Sequence, residues 1–199
     1  HNLAIGRDSM NVANSGGEYN VAVGNYTLDA LTSGDNNVAI GYGAGTDMTT
    51  AGQNVIVGSY GGYNLTTGSS QRNIMIGYAA GFYMADETNN VGIGALACGG
   101  AGTPNGSEFN VGVGSRAIED ITTADACTAV GYVAGANVTT GAENTFFGYD
   151  AGSSTITGSN NICVGSSAKA SASNESFAIC IGNSITAAGN DFSFGKASN

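Results

Sequence analysis

A five-residue motif of the kind NVAIG recurs along the whole chain at nearly constant spacing. Twelve glycines close these motifs, and seven of the eleven intervals between them are 17 residues long, as from Gly24 to Gly41. They are Gly6, Gly24, Gly41, Gly58, Gly77, Gly94, Gly114, Gly131, Gly148, Gly165, Gly182 and Gly195. A unit of about 17 residues is too short to bury a hydrophobic core alone, so successive copies must stack on one another. The repeat therefore predicts one all-β domain over residues 1–199, a parallel β-solenoid (β-roll) of about twelve 17-residue coils.

The strand that precedes each glycine has two apolar faces. The residues one and three positions before the glycine are nearly all large and apolar, and we assign them to the interior of the coil. The residue two positions before it is apolar or glycine in eleven of twelve copies, whereas a solvent-facing column would be mostly polar. We therefore expect like chains to pack along this second face as a homotrimer. The subunit-interface candidates are Ala22, Ala39, Ile56, Met75, Ala129, Phe146, Cys163 and Cys180.

An asparagine stands four residues before the glycine in nine of the twelve copies, and Cys127, Ala178 and Asp191 replace it in the others. Asparagine amides one coil apart can hydrogen-bond to one another and to the turn backbone. Asparagine is also common in turns because it tolerates unusual backbone dihedrals. Both interpretations are structural, and neither predicts a ligand.

The repeat unit, NVAIG followed by GYxAG and TTG, resembles the parallel β-roll repeats of bacteriophage tail fibres. The GYxAG copies at 41–45, 131–135 and 148–152 carry this resemblance, which covers essentially the whole chain. The repeat is similar, more loosely, to the heads of trimeric autotransporter adhesins. The resemblance implies an extracellular virion structural protein, a homotrimeric and non-enzymatic segment of a tail fibre that supports host attachment. Its implied partners are copies of itself, other virion tail proteins and a host cell-surface glycan or protein.

The two ends of the sequence add an expectation about the length of the protein. The chain has no initial methionine and opens inside a copy of the repeat, so we expect a fragment of a longer fibre chain. Many fibres of this kind carry a carboxy-terminal self-cleaving chaperone domain, and an end soon after the last repeat is compatible with such a cut.

The charge balance argues against nucleic acid as a partner. The 199 residues include 5 basic and 15 acidic side chains, for a net charge of -10. The basic residues lie far apart, whereas phosphate binding requires clustered lysine and arginine. No apolar run approaches the length of a membrane-spanning helix, and the start of the chain lacks the regions of a secretion signal. We expect neither nucleic-acid binding nor membrane insertion.

The chain is poorly supplied with catalytic groups. His1 is its single histidine and a GxSxG motif is missing, so a serine or cysteine nucleophile would have no base. The GxGxxA motifs at 92–97 and 112–117 are not followed by the crossover helix that a dinucleotide site requires. The four cysteines have no CxxC spacing, so we expect free thiols and no metal site. The sequence predicts no enzyme activity and no cofactor.

Two alternative functions stay open. Carboxylates at 86–87 and 119–120 could meet on neighbouring coils, as the acidic pair of a polysaccharide-cleaving tail spike does. Threonine pairs at 49–50, 66–67, 122–123 and 139–140 recur in equivalent phases, which resembles the threonine files of ice-binding β-solenoids. The lack of tryptophan weakens the first alternative and the breaks in the threonine file weaken the second.

The longest interval between repeat glycines, 94–114, contains the single proline and predicts a loop that bulges from the coil. Loops on rigid scaffolds often carry recognition, so this segment supplies the first receptor-contact candidates. An apolar stretch in the 77–94 interval supplies two more. The candidates are Thr103, Pro104, Asn105, Ser107, Glu108 and Phe109, followed by Phe82 and Tyr83.

Overall fold

The computed structural model describes residues 1–12, 16–99 and 106–196, which contain fourteen β-strands and no helix. Accordingly, no helix in these ranges could cross a bilayer. The strands are β1 (Leu3–Ile5), β2 (Val21–Val23), β3 (Val38–Ile40), β4 (Val55–Val57), β5 (Ile74–Ile76), β6 (Val91–Ile93), β7 (Val111–Val113), β8 (Thr128–Val130), β9 (Thr145–Phe147), β10 (Ile162–Val164), β11 (Lys169–Ala170), β12 (Ile179–Asn183), β13 (Thr186–Ala187) and β14 (Phe192–Lys196).

One parallel sheet of twelve strands runs the length of the molecule. Each strand from β1 to β9 pairs with the next, β10 pairs with β12, and β12 pairs with β14, while β11 and β13 form a second sheet of two strands. The register follows the repeat, so that Ala22 of β2 lies opposite Ala39 of β3. The chain therefore gains one strand per coil and makes about eleven turns. This confirms the predicted all-β parallel β-solenoid.

The repeat glycines mark the place where successive coils approach most closely. Gly58 has a φ of +140°, and a β-carbon at this position would lie 2.2 Å from the carbonyl oxygen of Gly77 in the next coil. Only glycine fits both the dihedral angle and the contact, since L side chains avoid this region and the neighbouring atom is backbone. The constant glycine of the motif is therefore a requirement of close stacking.

The two faces of the strands are the reverse of our prediction. The eight residues proposed for a subunit interface are fully buried inside their own chain: Ala22, Ala39, Ile56, Met75, Ala129, Phe146, Cys163 and Cys180. The large residues on either side of them point outward, and Ile76 and Ile40 are 36% and 39% exposed. A three-residue strand directs one side chain to one face and two to the other. The interior accepts the single one because the coil is thin: a β-carbon at Gly112 would lie 3.0 Å from the carbonyl oxygen of Ala117 across it.

In several coils the core fills by an exchange of volume between two positions six residues apart. Phe146 points inward from β9, and a β-carbon on Gly152 would lie 2.1 Å from its ring. In the coil of β7 the sizes are reversed, because Gly112 is the strand residue and the buried Ile118 occupies the space. In the coil of β8 both positions are small and the neighbouring coils fill the space, since a β-carbon on Gly135 would lie 2.5 Å from the Phe146 ring and 3.2 Å from the Ile118 side chain.

A buried asparagine ladder joins the coils along one edge of the sheet. The Asn37 side-chain oxygen accepts hydrogen bonds from the backbone and side-chain nitrogens of Asn54 at 3.0 and 3.3 Å. The Asn37 amide donates to Asn20 and to the Ala51 carbonyl. Positive φ angles occur one residue earlier, at Asn36 and Gln53, and not at the ladder asparagines. The ladder therefore selects asparagine for its amide and not for its tolerance of a turn.

We predict that the double variant Phe146→Ala/Gly152→Leu is more stable than the sum of its single changes implies. Phe146→Ala should cost about 3–5 kcal/mol of unfolding free energy because it leaves a cavity. Leucine at position 152 would fill that space in a backbone conformation that Leu28 and Ile118 already adopt in their coils. Urea unfolding followed by circular dichroism measures the four proteins, and strict additivity would contradict the exchange of volume.

We predict that Cys127→Asn stabilises the protein by about 1 kcal/mol, because it completes the ladder. Cys127 donates to the Gly141 carbonyl, but the Asn144 amide reaches its sulfur only at 3.9 Å. An asparagine here would accept the Asn144 amide at normal distance. Thermal unfolding checks this, and Cys163→Asn, which buries an amide in the apolar interior, is the control and should destabilise. A loss of stability in both variants would count against the ladder as the selecting interaction.

Candidate functional site

The outer face of the twelve-stranded sheet carries two columns of exposed apolar side chains, which we call the outer strip. It consists of the residues one and three positions before each repeat glycine, and Thr128 and Thr145 are its polar members. Its more exposed large residues, 36% to 77% accessible, are Leu3, Ile5, Ile40, Val55, Ile74, Ile76, Ile93, Phe147, Ile162, Phe192 and Phe194. Eleven strand spacings of about 4.8 Å give the strip a length of roughly 53 Å. A continuous uncharged surface of this extent is unusual on a soluble monomer.

Exposed aromatic residues occur just before and just after the strand residues of the strip in the sequence. Tyr19, Phe109 and Phe177, which precede the asparagine of their copies or its replacement, are each more than half exposed. Tyr132 and Tyr149 directly follow a repeat glycine, and their rings stack at 5.6 Å between centroids. The exposed apolar surface therefore continues beyond the strands themselves.

Beside the first half of the strip lies an aromatic cluster that we call the tyrosine groove. It is lined by Tyr26, Tyr42, Gly43, Thr46, Tyr60 and Tyr63, and its volume is about 280 Å³. Tyr26 and Tyr42 meet edge to face at 5.6 Å and an interplanar angle of 73°, and Tyr42 and Tyr60 at 5.3 Å and 75°. The rings therefore form walls at steep angles to one another and not a single flat platform.

The aromatic cluster extends into the next coil. The Phe82 ring stacks on Tyr63 at 5.1 Å and meets Tyr83 edge to face at 4.7 Å. Tyr78 continues the file after Tyr60 at 6.4 Å. Two of the predicted receptor-contact residues, Phe82 and Tyr83, thus belong to one aromatic surface with the groove.

Two carboxylates sit close to the groove. Burial raises the pKa of Asp47, and burial together with the negative charges of Asp47 and Asp29 raises the pKa of Tyr63. The Oδ1 atom of Asp29 is buried and has no hydrogen-bond partner among the described residues. The groove is therefore an aromatic site in a negative electrostatic environment.

Three of the remaining receptor-contact candidates lie among the described residues, and these three have different environments. Thr103, Pro104 and Asn105 lie outside the described residues. Ser107 is buried, and its carbonyl accepts a hydrogen bond from the Asn90 side chain. The Glu108 backbone nitrogen donates to Asp125, while the Phe109 ring is exposed beside the strip.

The side chains behind the two alternative functions are engaged in structural contacts. Glu119 forms an ion pair with Arg116, and Asp86 accepts a hydrogen bond from the Thr67 hydroxyl. The Thr49 and Thr139 hydroxyls donate to carbonyl oxygens of the following coil. The contacts of Asp86, Thr49 and Thr139 join successive coils, whereas the ion pair of Glu119 lies within one coil.

The cysteines are buried free thiols. Cys163 and Cys180 lie opposite each other on β10 and β12, and the hydrogen bond between the two thiols and burial raise the pKa of Cys163. Burial raises the pKa of Cys98 to about 12. The hydrogen bond between Cys163 and Cys180 lowers the pKa of Cys180. Reactive cysteines also need exposure, and all four thiols are buried, so they are poorly accessible as nucleophiles or metal ligands. No group of three or more possible metal ligands occurs in the described ranges.

The tyrosines of the groove were not among our sequence candidates, although a signal was present. In four consecutive copies a tyrosine follows the repeat glycine by one or two residues, at Tyr26, Tyr42, Tyr60 and Tyr78. Coils stacked in register bring such residues into one file. The recurrence of tyrosine at this position of the repeat was therefore the sequence signal for the aromatic cluster.

Comparisons with known proteins found no match: no protein-family model, curated protein or solved structure is significantly similar to this chain.

We predict that Asp47→Asn lowers the pKa of Tyr63 toward its ordinary value of about 10, because it removes one of the negative charges that oppose ionisation. Ring-carbon NMR titration of the tyrosines measures this, with Tyr63→Phe to assign the signal. The raised pKa also means that the Tyr63 contribution to stability is present below about pH 10 and is lost as the pH rises above it. An unchanged Tyr63 titration in Asp47→Asn would show that the charge of Asp47 does not contribute to the raised pKa.

Proposed function

We propose that this chain is a structural, adhesive segment of a phage tail fibre or a similar extracellular appendage, and that three copies pack along their outer strips. The observation that carries the proposal is the outer strip itself, an uncharged apolar surface along the entire sheet. Because such a surface is costly in water, it favours a permanent partner. A copy of the same chain offers a strip of equal length and repeat, so that every coil can find an equivalent contact.

The size of the strip suits a stable assembly. Together with the neighbouring row, in which Tyr19, Phe109 and Phe177 alternate with polar residues and with Arg72 and Glu143, the strip is roughly 15 Å wide and 53 Å long, which is on the order of 800 Å² per chain. Stable protein interfaces bury about 800 Å² on each partner, and a chain in a trimer divides its buried surface between two neighbours. Parallel rods that meet along narrow strips can surround a common axis, and the resemblance to tail-fibre repeats favours three of them.

This assembly suits a mechanical role. Hydrogen-bonded coils stacked along the axis resist local opening because each coil is held by both neighbours. Three parallel copies also present any weak surface contact three times, which raises avidity without a new contact. Support of host-surface attachment is therefore the function that we propose for the segment.

The mass in solution tests the proposal. We expect light scattering to give about 59 kDa, three times the 19.7 kDa of one chain. The double variant Ile40→Lys/Ile76→Lys should dissociate to monomers, since it places two charges within the apolar interface. Ser69→Lys, on an exposed residue outside the strip, is the matched control and should keep the wild-type mass.

A wild-type protein that runs as a folded single chain would overturn the assembly, and one with the mass of two chains would overturn the trimer. Circular dichroism of both lysine variants shows that the coils remain folded, so that dissociation is not confused with unfolding.

A further inference from the structure

We propose that the tyrosine groove binds a quaternary ammonium group, such as the trimethylammonium head of choline. The binding would use the faces of Tyr42, Tyr60 and Tyr63. This site is separate from the outer strip and does not depend on the assembly proposed above.

The shape of the groove is the first reason. Neighbouring rings along its file are inclined at 73° and 75°, and Tyr60 and Tyr63 are inclined at 52° with centroids 6.0 Å apart. Rings at such angles surround a rounded group on several sides, whereas a sugar ring stacks on one flat face. A volume of about 280 Å³ is slightly below the range of pockets for drug-sized ligands, so a small head group fits it.

The charge of the surroundings is the second reason. Aromatic faces attract cations through the ring quadrupole, and the attraction grows when the site is partly shielded from water. Asp29 and Asp47 lie close enough to act electrostatically on the Tyr63 hydroxyl, and the chain as a whole carries a charge of -10. The groove therefore attracts a positive ligand and repels a negative one.

The file already holds a cation at one end. The Arg7 guanidinium lies 5.5 Å from the centroid of the Tyr26 ring, next to the groove. This contact shows that the ring faces are open to a cation in the folded protein. The rings further along, Tyr42 and Tyr60, line the groove itself.

The polar groups of the groove favour a quaternary ammonium over a primary one. A primary ammonium must replace three hydrogen bonds to water, and it needs acceptors for them. The Thr46 hydroxyl has one proton, which it donates to the carbonyl oxygen of Gly43 or of Tyr26, and the tyrosine ring faces that would contact the ligand offer no acceptor. A trimethylammonium group has no donors to satisfy, so it loses little on entering.

Tyrosine fluorescence measures the binding directly because the chain has no tryptophan. We expect choline chloride to change the emission saturably, with a dissociation constant on the order of 1 mM. Its neutral isostere, 3,3-dimethyl-1-butanol, should bind about tenfold more weakly or not at all. Equal binding of the two, or no saturable change up to about 100 mM choline, would overturn the proposal.

Variants locate the site. Tyr60→Leu should weaken choline binding about tenfold, and Asp47→Asn about threefold, while Tyr60→Phe keeps the ring face and should bind nearly as well as the wild type. Tyr149→Leu is the matched control, since Tyr149 belongs to the separate stacked pair with Tyr132. If Tyr149→Leu weakens binding as much as Tyr60→Leu, the groove is not the site.

Two vesicle preparations distinguish the source of the head group. Binding to phosphatidylcholine vesicles, but not to phosphatidylglycerol vesicles, would indicate that a lipid head group can reach the groove. Binding of free choline, with no binding to either kind of vesicle, would indicate a soluble or polymer-borne ligand. Binding to phosphatidylglycerol alone would contradict the electrostatic argument.

Discussion

The stacking of one coil directly on the next is the constraint on which the rest of the structure depends. The backbone of each coil bonds to its neighbours on both sides, as when Val38 donates to the Asn54 carbonyl and Gly41 donates to that of Val23. At the repeat glycines the two backbones come so close that a side chain is excluded. The buried asparagine ladder adds a side-chain hydrogen bond at each step where the residue is present. Local sequence is thus selected mainly by the coil above and the coil below.

The thin cross-section of the coil determines which surfaces face water. A large side chain in the interior comes either from the strand, as Phe146 does, or from the following turn, as Ile118 does, and it also fills space in a neighbouring coil whose own residues are small. Most β-branched residues of the strands lie on the outer face, and Ile56 is the buried exception. An exposed apolar sheet is therefore a direct result of narrow coils, and assembly with like chains is the proposal that accounts for it. The tyrosine groove arises in the same way, because residues of equal phase in successive coils form a file.

Sequence periodicity was sufficient to predict the architecture, and the positions of the strands followed from the repeat glycines. The faces of the strands were predicted wrongly, because residue size was taken as the mark of the interior. Position and not size was decisive: the interior column contains alanine, glycine, methionine and phenylalanine, and in several coils its size varies against that of the residue six positions later, although both residues are small in the coils of β3 and β8. That covariation within one chain, seen in Phe146 with Gly152 and Gly112 with Ile118, was the signal that a core column carries. The groove was missed for a different reason. It is formed by single tyrosines from four coils, and none of these residues indicates a site when its own copy of the repeat is considered alone.

The common register of successive coils also bears on how such a chain can change in length. Since every coil bonds to its neighbours through the same backbone positions, duplication or deletion of one whole repeat preserves the hydrogen bonds between coils and changes only the side-chain packing at the junction. Each such event would lengthen or shorten the rod by about 4.8 Å without a new fold having to emerge. Recombination between copies of the repeat in the gene can therefore change the length of the rod in steps of one coil.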